Sequence, residues 1–275
     1  MNVSRSLRAH WPEYLIEAWA LGMFMISAGV FTLLFEYPGS PLQQAIASPG
    51  LRRALIGLAM GATAVGLIYS RWGKQSGAHM NPAVTLTFLR LGKIRPADAL
   101  FYIVAQFVGG ILGVAVVRWI FGAAFEGPPV SYVATLPGVA GPAVAFIAET
   151  GISLGMMLTV LVCSNNARLA RYTGLCAGTL VALYITVEAP LSGMSMNPAR
   201  SFASALPAGQ LSSQWLYFTA PVLGMLLGAQ LYLYGAGRRR VKCAKLLHPP
   251  TVRCIHCNYQ PGQLSDPAAA IPSSA

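Results

Sequence analysis

Between residues 14 and 35 the chain is apolar except for Glu17, Ser27 and Thr32. That is about the 20 residues a membrane-spanning helix needs. Five comparable stretches follow, at residues 51–69, 99–121, 143–163, 172–187 and 215–236. The pattern predicts an all-α membrane protein with six transmembrane helices. The first stretch is too long for a cleavable signal, carries Glu17 and lacks a small-residue cleavage site, so it reads as a retained span.

Two polar phrases interrupt this pattern. Ser76-Gly77-Ala78-His79-Met80-Asn81-Pro82-Ala83 lies between spans two and three. Ser192-Gly193-Met194-Ser195-Met196-Asn197-Pro198-Ala199 lies between spans five and six and repeats Ser, Gly, Met, Asn, Pro and Ala in the same places. Such a repeat marks two homologous halves. Three spans per half make the second half enter from the opposite side, so the architecture is an inverted 3+3 repeat with its functional site near the midplane. Asn is a strong N-cap and Pro suits the first helical turn. Each phrase therefore predicts a re-entrant half-helix, starting at Asn81 or Asn197 and running to about Arg90 or Leu206. Ten residues give roughly 15 Å, half of a ~30 Å hydrocarbon core. The two N-termini are expected to meet at the centre.

The loops before the half-helices hold irregular backbone at membrane depth, tolerated only where protein buries it or water lines it. Gly77 and Gly193 relax the chain there. The carbonyls of residues 77–80 and 193–196 are expected to face a pore as acceptors, and the Asn81 and Asn197 amides to offer donors. Two converging helix N-termini, each worth about half a positive charge, repel cations, and Arg200 adds a fixed charge one turn into the second half-helix. The set suits a neutral, hydrogen-bonding solute.

Composition agrees: 55% of residues are hydrophobic and 10% charged, far below the ~25% charge of soluble domains, and mean hydropathy is +0.56. The net charge of +11 does not mark a nucleic-acid protein. Arg5, Arg8, Arg71, Lys74, Arg90, Lys93, Arg95, Arg168, Arg171 and the basic tail fall on one side of the predicted topology, leaving Arg52, Arg53, Arg118 and Arg200 on the other. Under the positive-inside rule both termini are cytoplasmic, in a plasma or inner membrane.

Paired Asn-Pro-Ala boxes (Asn81, Pro82, Ala83; Asn197, Pro198, Ala199), the second followed by Arg200, make the chain resemble the aquaporin (major intrinsic protein) family over about residues 13–236. The resemblance implies a passive channel for water and small neutral solutes that excludes protons and ions, a homotetramer, and no cofactor. It implies that Glu17 and Glu149 hold the re-entrant loops, and that an outer selectivity filter is built from Met60 or Gly61, Ile185, Met194 and Arg200. Ser201, Ala205 and the Tyr217-Phe218 pair fall on the water-channel side of the family. The filter lacks the Phe and His usual in water-selective relatives, which leaves ammonia, hydrogen peroxide and small polyols open as solutes.

The domain reading is an N-terminal segment 1–12, a channel domain 13–236 (repeats at about 13–121 and 142–236) and a tail 237–275, its end from Pro261 onward disordered. His79 reads as a pore-lining or loop-fixing residue. Glu188 reads as paired with a loop or solvated. Gly109, Gly110 and Gly113, matched by Gly224 and Gly228, read as close helix packing. The chain has five cysteines. Cys243, His248, Cys254 and Cys257 are zinc-ligand types, but their spacing fits no strong signature, so the tail reads as reduced thiols without a metal. A coupled secondary transporter would need ion-coupling carboxylates beside its substrate, and Glu17 and Glu149 have the structural reading above. No Ser-His-Asp set, metal-binding helix motif or cofactor fingerprint points to an enzyme.

Overall fold

A computed structural model describes residues 3–237 and 240–262. Six long helices cross the molecule: α1 (Val3–Glu36), α2 (Pro49–Tyr69), α4 (Pro96–Phe121), α5 (Gly141–Ser164), α6 (Thr173–Val187) and α8 (Gln214–Ala236). Among the shorter helices between them are α3 (Pro82–Arg90) and α7 (Pro198–Ala208). Proline at the first turn starts α2, α3, α4 and α7, where its missing N–H costs nothing. The crossing helices are apolar around their whole circumference, and Leu15, Val104, Leu112, Ile147, Leu183 and Leu231 face outward, as spans against lipid do.

The expected spans agree with the helices to within a few residues, with one exception. The first helix begins well before the apolar stretch, within segment 1–12: α1 is already helical from Val3 and runs 34 residues. At 1.5 Å per residue that is about 51 Å, well beyond the ~30 Å hydrocarbon core. The extra turns end in a polar knot: Asp98 accepts from the Tyr14 hydroxyl at 2.6 Å and from His10 Nδ1 at 2.8 Å. The disorder expected from Pro261 onward falls almost wholly outside the described residues, which end at Gly262.

The halves pair as an inverted repeat. Helix α1 packs on α4, α5 packs on α8 in the same way, and α2 meets α6 where the halves join. Glycines set all three contacts. A Cβ on Gly109 would lie 2.0 Å from the Ala18 carbonyl oxygen, and one on Gly113 would lie 2.4 Å from that of Gly22. In the second half, Gly224 meets Thr150 O at 2.2 Å and Gly228 meets Leu154 O at 2.6 Å. At the α2–α6 contact, Gly61 and Gly178 face each other's carbonyls at 2.5 and 2.6 Å. Gly110 lies instead against Ala203 of α7. With little hydrophobic drive between helices in lipid, such close backbone approach supplies the association energy.

Glycine replacements should therefore separate by position. Gly109→Ala and Gly224→Ala must push helices apart and should cost about 1–3 kcal/mol, the usual range for overpacking. Gly151→Ala meets nothing within 4 Å and should be neutral or stabilising by up to about 1 kcal/mol from helix propensity. Thermal unfolding of the three detergent-solubilised variants, followed by size-exclusion chromatography, measures the contrast.

Candidate functional site

The repeated phrases form two loops of matching geometry. Gly77 and Gly193 have φ of 106° and 80°, Ala78 and Met194 of 55° and 50°, and Met80 and Met196 of 50° and 54°. Left-handed backbone at a non-glycine residue costs of order 1–3 kcal/mol and persists only where its surroundings impose it. Here a fully buried carboxylate imposes it in each half. Glu17 accepts from the Ser76 hydroxyl (2.7 Å), His79 N (3.0 Å) and Met80 N (2.6 Å). Glu149 accepts from the Ser192 hydroxyl (2.8 Å), Ser195 N (2.6 Å) and Met196 N (2.7 Å). A tyrosine completes each clamp: Tyr102 donates to Ser76 O at 2.8 Å and Tyr217 to Ser192 O at 2.6 Å. The symmetry fails at one point. Gln106 donates to Glu17 at 2.8 Å, whereas the matching place on α8 is Pro221.

The half-helices meet head to head. Asn81 Oδ1 caps Ala83 N at 2.8 Å, and Asn197 Oδ1 caps Ala199 N and Arg200 N at 3.1 and 3.2 Å. Each side-chain amide also donates across the junction, Asn81 to Met196 O at 2.6 Å and Asn197 to Met80 O at 2.7 Å. An amide NH₂ carries two donors, so one hydrogen of each is spent on cross-linking the halves and one is left. The expected line of carbonyls is correspondingly shorter. Met80 O and Met196 O serve the opposite asparagine, and Gly77 O accepts from Leu246 N at 3.1 Å. The carbonyls of Ala78, His79, Gly193, Met194 and Ser195 have no hydrogen-bond donor among the described residues, and all five residues line the cavity described next.

A cavity of about 440 Å³ runs past this junction. At the end opposite the termini its walls include Glu36 and Arg53, at the centre Asn81 and Asn197, and at the terminal end Ile68, Val160 and Leu246. Met60, Ile185, Met194 and Arg200 all line it. Gly61 does not; it is used in the α2–α6 contact. Arg200 is held by the Thr135 hydroxyl, from the connection between the halves. That connection also supplies Val133 to the wall. Neither residue belongs to the repeat, and nothing in the sequence pattern singles them out. Ser76 and Ser192 do carry a signal, since both open the repeated phrase.

Three further expectations meet the structure. His79 lines the cavity and also fixes loops: its Nε2 donates to Ala244 O at 2.7 Å, and its Nδ1 lies 3.0 Å from the Thr85 hydroxyl. Glu188, beyond the end of α6, is neither paired nor solvated. It is 6% exposed, and neither carboxylate oxygen meets a partner at hydrogen-bond geometry among the described residues. Burial pushes its carboxyl up to about 7. The tail residues Cys243, His248, Cys254 and Cys257 converge, with their ligand atoms all within 4.8 Å of one another. The sequence offered these four residues as zinc-ligand types; their convergence depends on how the tail folds back, which no helical period encodes.

Comparison with known proteins agrees with the geometry. The family described as "Major intrinsic protein" matches residues 5–232. The probable aquaporin NIP7-1 of Arabidopsis thaliana is 32% identical over 210 residues, covering 74% of this chain and 72% of the relative. Aquaporin NIP1-1 of the same plant is 34% identical over 181 residues, covering 64% of this chain and 60% of the relative. The chain thus aligns with only part of these relatives' length, under two thirds in the second case. Among solved structures, the X-ray structure of the aquaglyceroporin from Plasmodium falciparum superposes with a TM-score of 0.68. It is 19% identical and covers 82% of this chain and 96% of that one, a likeness of fold.

Two variants test the buried carboxylates. In Glu149→Gln, a side-chain NH₂ must face backbone N–H groups, which leaves a buried donor unpaired at about 1–3 kcal/mol. The yield of folded protein and the solute flux should fall together, and no proton current should appear in liposomes under a pH gradient. Glu188→Gln tests the buried acid. The raised carboxyl binds a proton in the native state that the unfolded state has lost, so native stability falls as pH rises from about 4.5 through about 7. The variant should melt above the wild type at pH 8 and level with it near pH 5, as read by thermal unfolding across pH.

Proposed function

We propose that this chain, which belongs to the major intrinsic protein family, conducts water and other small neutral solutes passively while excluding protons and ions. The observation that carries the reading is the cavity that passes between the Asn81 and Asn197 amides. Its polar groups are few and oriented: spare carbonyls from both loops, the remaining amide hydrogens, and the Arg200 guanidinium. A solute with both donor and acceptor character can exchange its water partners for these in sequence. A cation meets Arg200 and two helix N-termini, each carrying about half a positive charge. Met60, Ile185, Met194 and Arg200 form the selectivity filter in this reading. Two flexible thioether chains and a branched aliphatic leave the filter less polar than an imidazole-bearing one and able to adapt in width. That favours a range reaching past water to ammonia, hydrogen peroxide and small polyols such as glycerol.

The same reading puts both termini in the cytoplasm of a plasma or inner membrane, since the basic residues concentrate on the terminal side. It also takes the assembly to be a homotetramer with a pore in each subunit, as the resemblance implies. No catalytic chemistry is involved.

Stopped-flow light scattering of proteoliposomes tests the proposal. Water and glycerol permeabilities should both exceed those of bare lipid, and absence of excess water flux would overturn the water assignment. Ile185→His adds a hydrogen-bonding group and takes up width. It should lower the glycerol-to-water permeability ratio by about tenfold, the equivalent of one net hydrogen bond. Arg200→Ala should raise proton leakage under an imposed pH gradient.

A further inference from the structure

After α8 the chain turns back across its own terminal face, and residues 240–262 fold there without a further α-helix or strand. Val241, Cys243, Ala244, Leu246, Cys254 and Ile255 are buried. The contacts made by this segment are specific. Lys242 N donates to Asn165 Oδ1 at 2.7 Å. Lys245 Nζ, under the loop, donates to Lys74 O at 2.9 Å and Arg253 O at 2.7 Å. Arg253 makes a forked pair with the buried Glu13 carboxylate at 2.9 and 3.1 Å. His256 stacks on His79 with ring centroids 5.8 Å apart. Fixing the backbone of each irregular residue costs about 1–2 kcal/mol. Small irregular folds commonly offset that cost with disulfides or a structural metal.

The side-chain cluster at its centre has the chemistry for a metal. Cys243 Sγ lies 3.4 Å from Cys254 Sγ, and His248 Nε2 lies 3.2 Å from Cys257 Sγ. All four ligand atoms fall within 4.8 Å of one another. Bonds of about 2.3 Å to sulfur and 2.0–2.1 Å to nitrogen place the ligands of a tetrahedral zinc ion roughly 3.5–3.8 Å apart, so small side-chain shifts complete the site. A disulfide would need sulfurs at about 2.05 Å. Three thiolates and an imidazole are a soft set that selects zinc over calcium or magnesium, and Cys254-x-x-Cys257 is a ligand spacing common in structural zinc sites. The set would carry one net negative charge once zinc is bound, and the Lys245 ammonium is close enough to interact with the thiols.

The place of the cluster gives it a consequence. The first two ligands, Cys243 and His248, bracket residues 244–247 in sequence. Within that bracket Ala244 O accepts from His79, Leu246 N donates to Gly77 O, and Leu246 lines the terminal end of the cavity. We propose that Cys243, His248, Cys254 and Cys257 bind a zinc ion, and that this ion pins the 244–246 segment across the terminal-side mouth of the pore. The binding site stands on the cluster alone; its effect on flux rests on the channel reading above.

Elemental analysis of the full chain purified without added metal should give about one zinc per chain, and cobalt exchange should give the absorption of a tetrahedral thiolate site. Cys254→Ser/Cys257→Ser should lose most of the metal. Iron in place of zinc, a Cys243–Cys254 disulfide in the non-reduced protein, or unchanged metal content in the double variant would each overturn the site. In proteoliposomes, a membrane-permeant chelator should raise water permeability several-fold. Leu246→Ala should reproduce the rise with zinc still bound. Zinc bound but flux unchanged by chelation would overturn the clamp. Flux at the bare-lipid level in every state would instead count against the channel reading and leave the metal measurement intact.

Discussion

The structure depends on backbone groups that reach the middle of a membrane outside any helix. Each N–H or C=O left unsatisfied there costs several kcal/mol, and each half carries a loop of them. Glu17 and Glu149 meet this requirement, each taking two backbone N–H groups and a serine hydroxyl. The bonds are short, at 2.6–3.0 Å. They are what allows left-handed backbone at Ala78, Met80, Met194 and Met196. A buried carboxylate committed to this geometry has little freedom to shuttle protons. The two intramembrane acids thus have a structural role in holding the loops.

The rest of the pore's centre follows from that clamp. With the loops fixed, α3 and α7 start at the same depth, and their capping asparagines come close enough to bond the opposite loop. The crossed Asn81–Met196 and Asn197–Met80 bonds lock the junction from both sides, each tying one half's cap to the other half's loop. Close helix packing through Gly61, Gly109, Gly178 and Gly224 keeps the surrounding shell narrow enough for that junction to bear on a small solute.

The helical spans, the half-helices and the inverted pairing were legible in the sequence because each has a local cause: an apolar run of fixed length, an Asn-Pro start, an odd number of crossings. The start of α1 was not. The apolar run begins only at residue 14, and the helical turns before it are held by contacts with Asp98 that lie far away in sequence. Gly61 illustrates a second limit. A glycine beside Met60 fits a filter or a helix contact equally well until the position of α6 is known. Thr135 is a third case, because its bond to Arg200 arises from an irregular connection whose path no period predicts. The tail cluster is the fourth: the residue types were recognisable, but only the reversal after α8 brings Cys243 beside Cys254 and His248 beside Cys257.

Two of these misses share a location outside the repeat. Within the duplicated part most features of one half, the clamps, caps and packing glycines, have a partner in the other, and the symmetry doubles the sequence signal. The two ends of the cavity lack that redundancy. One is shaped by Thr135 and Val133 of the connection between halves, the other by Ala244 and Leu246 of the tail. A two-fold repeat relates the ends, and they differ both by substitutions within it, such as Arg200 where the first half has Val84, and by these segments outside it. The centre, tied to the clamps and the crossed asparagines, tolerates little change. Selectivity and control can vary at the ends without disturbing the loops that hold the pore open.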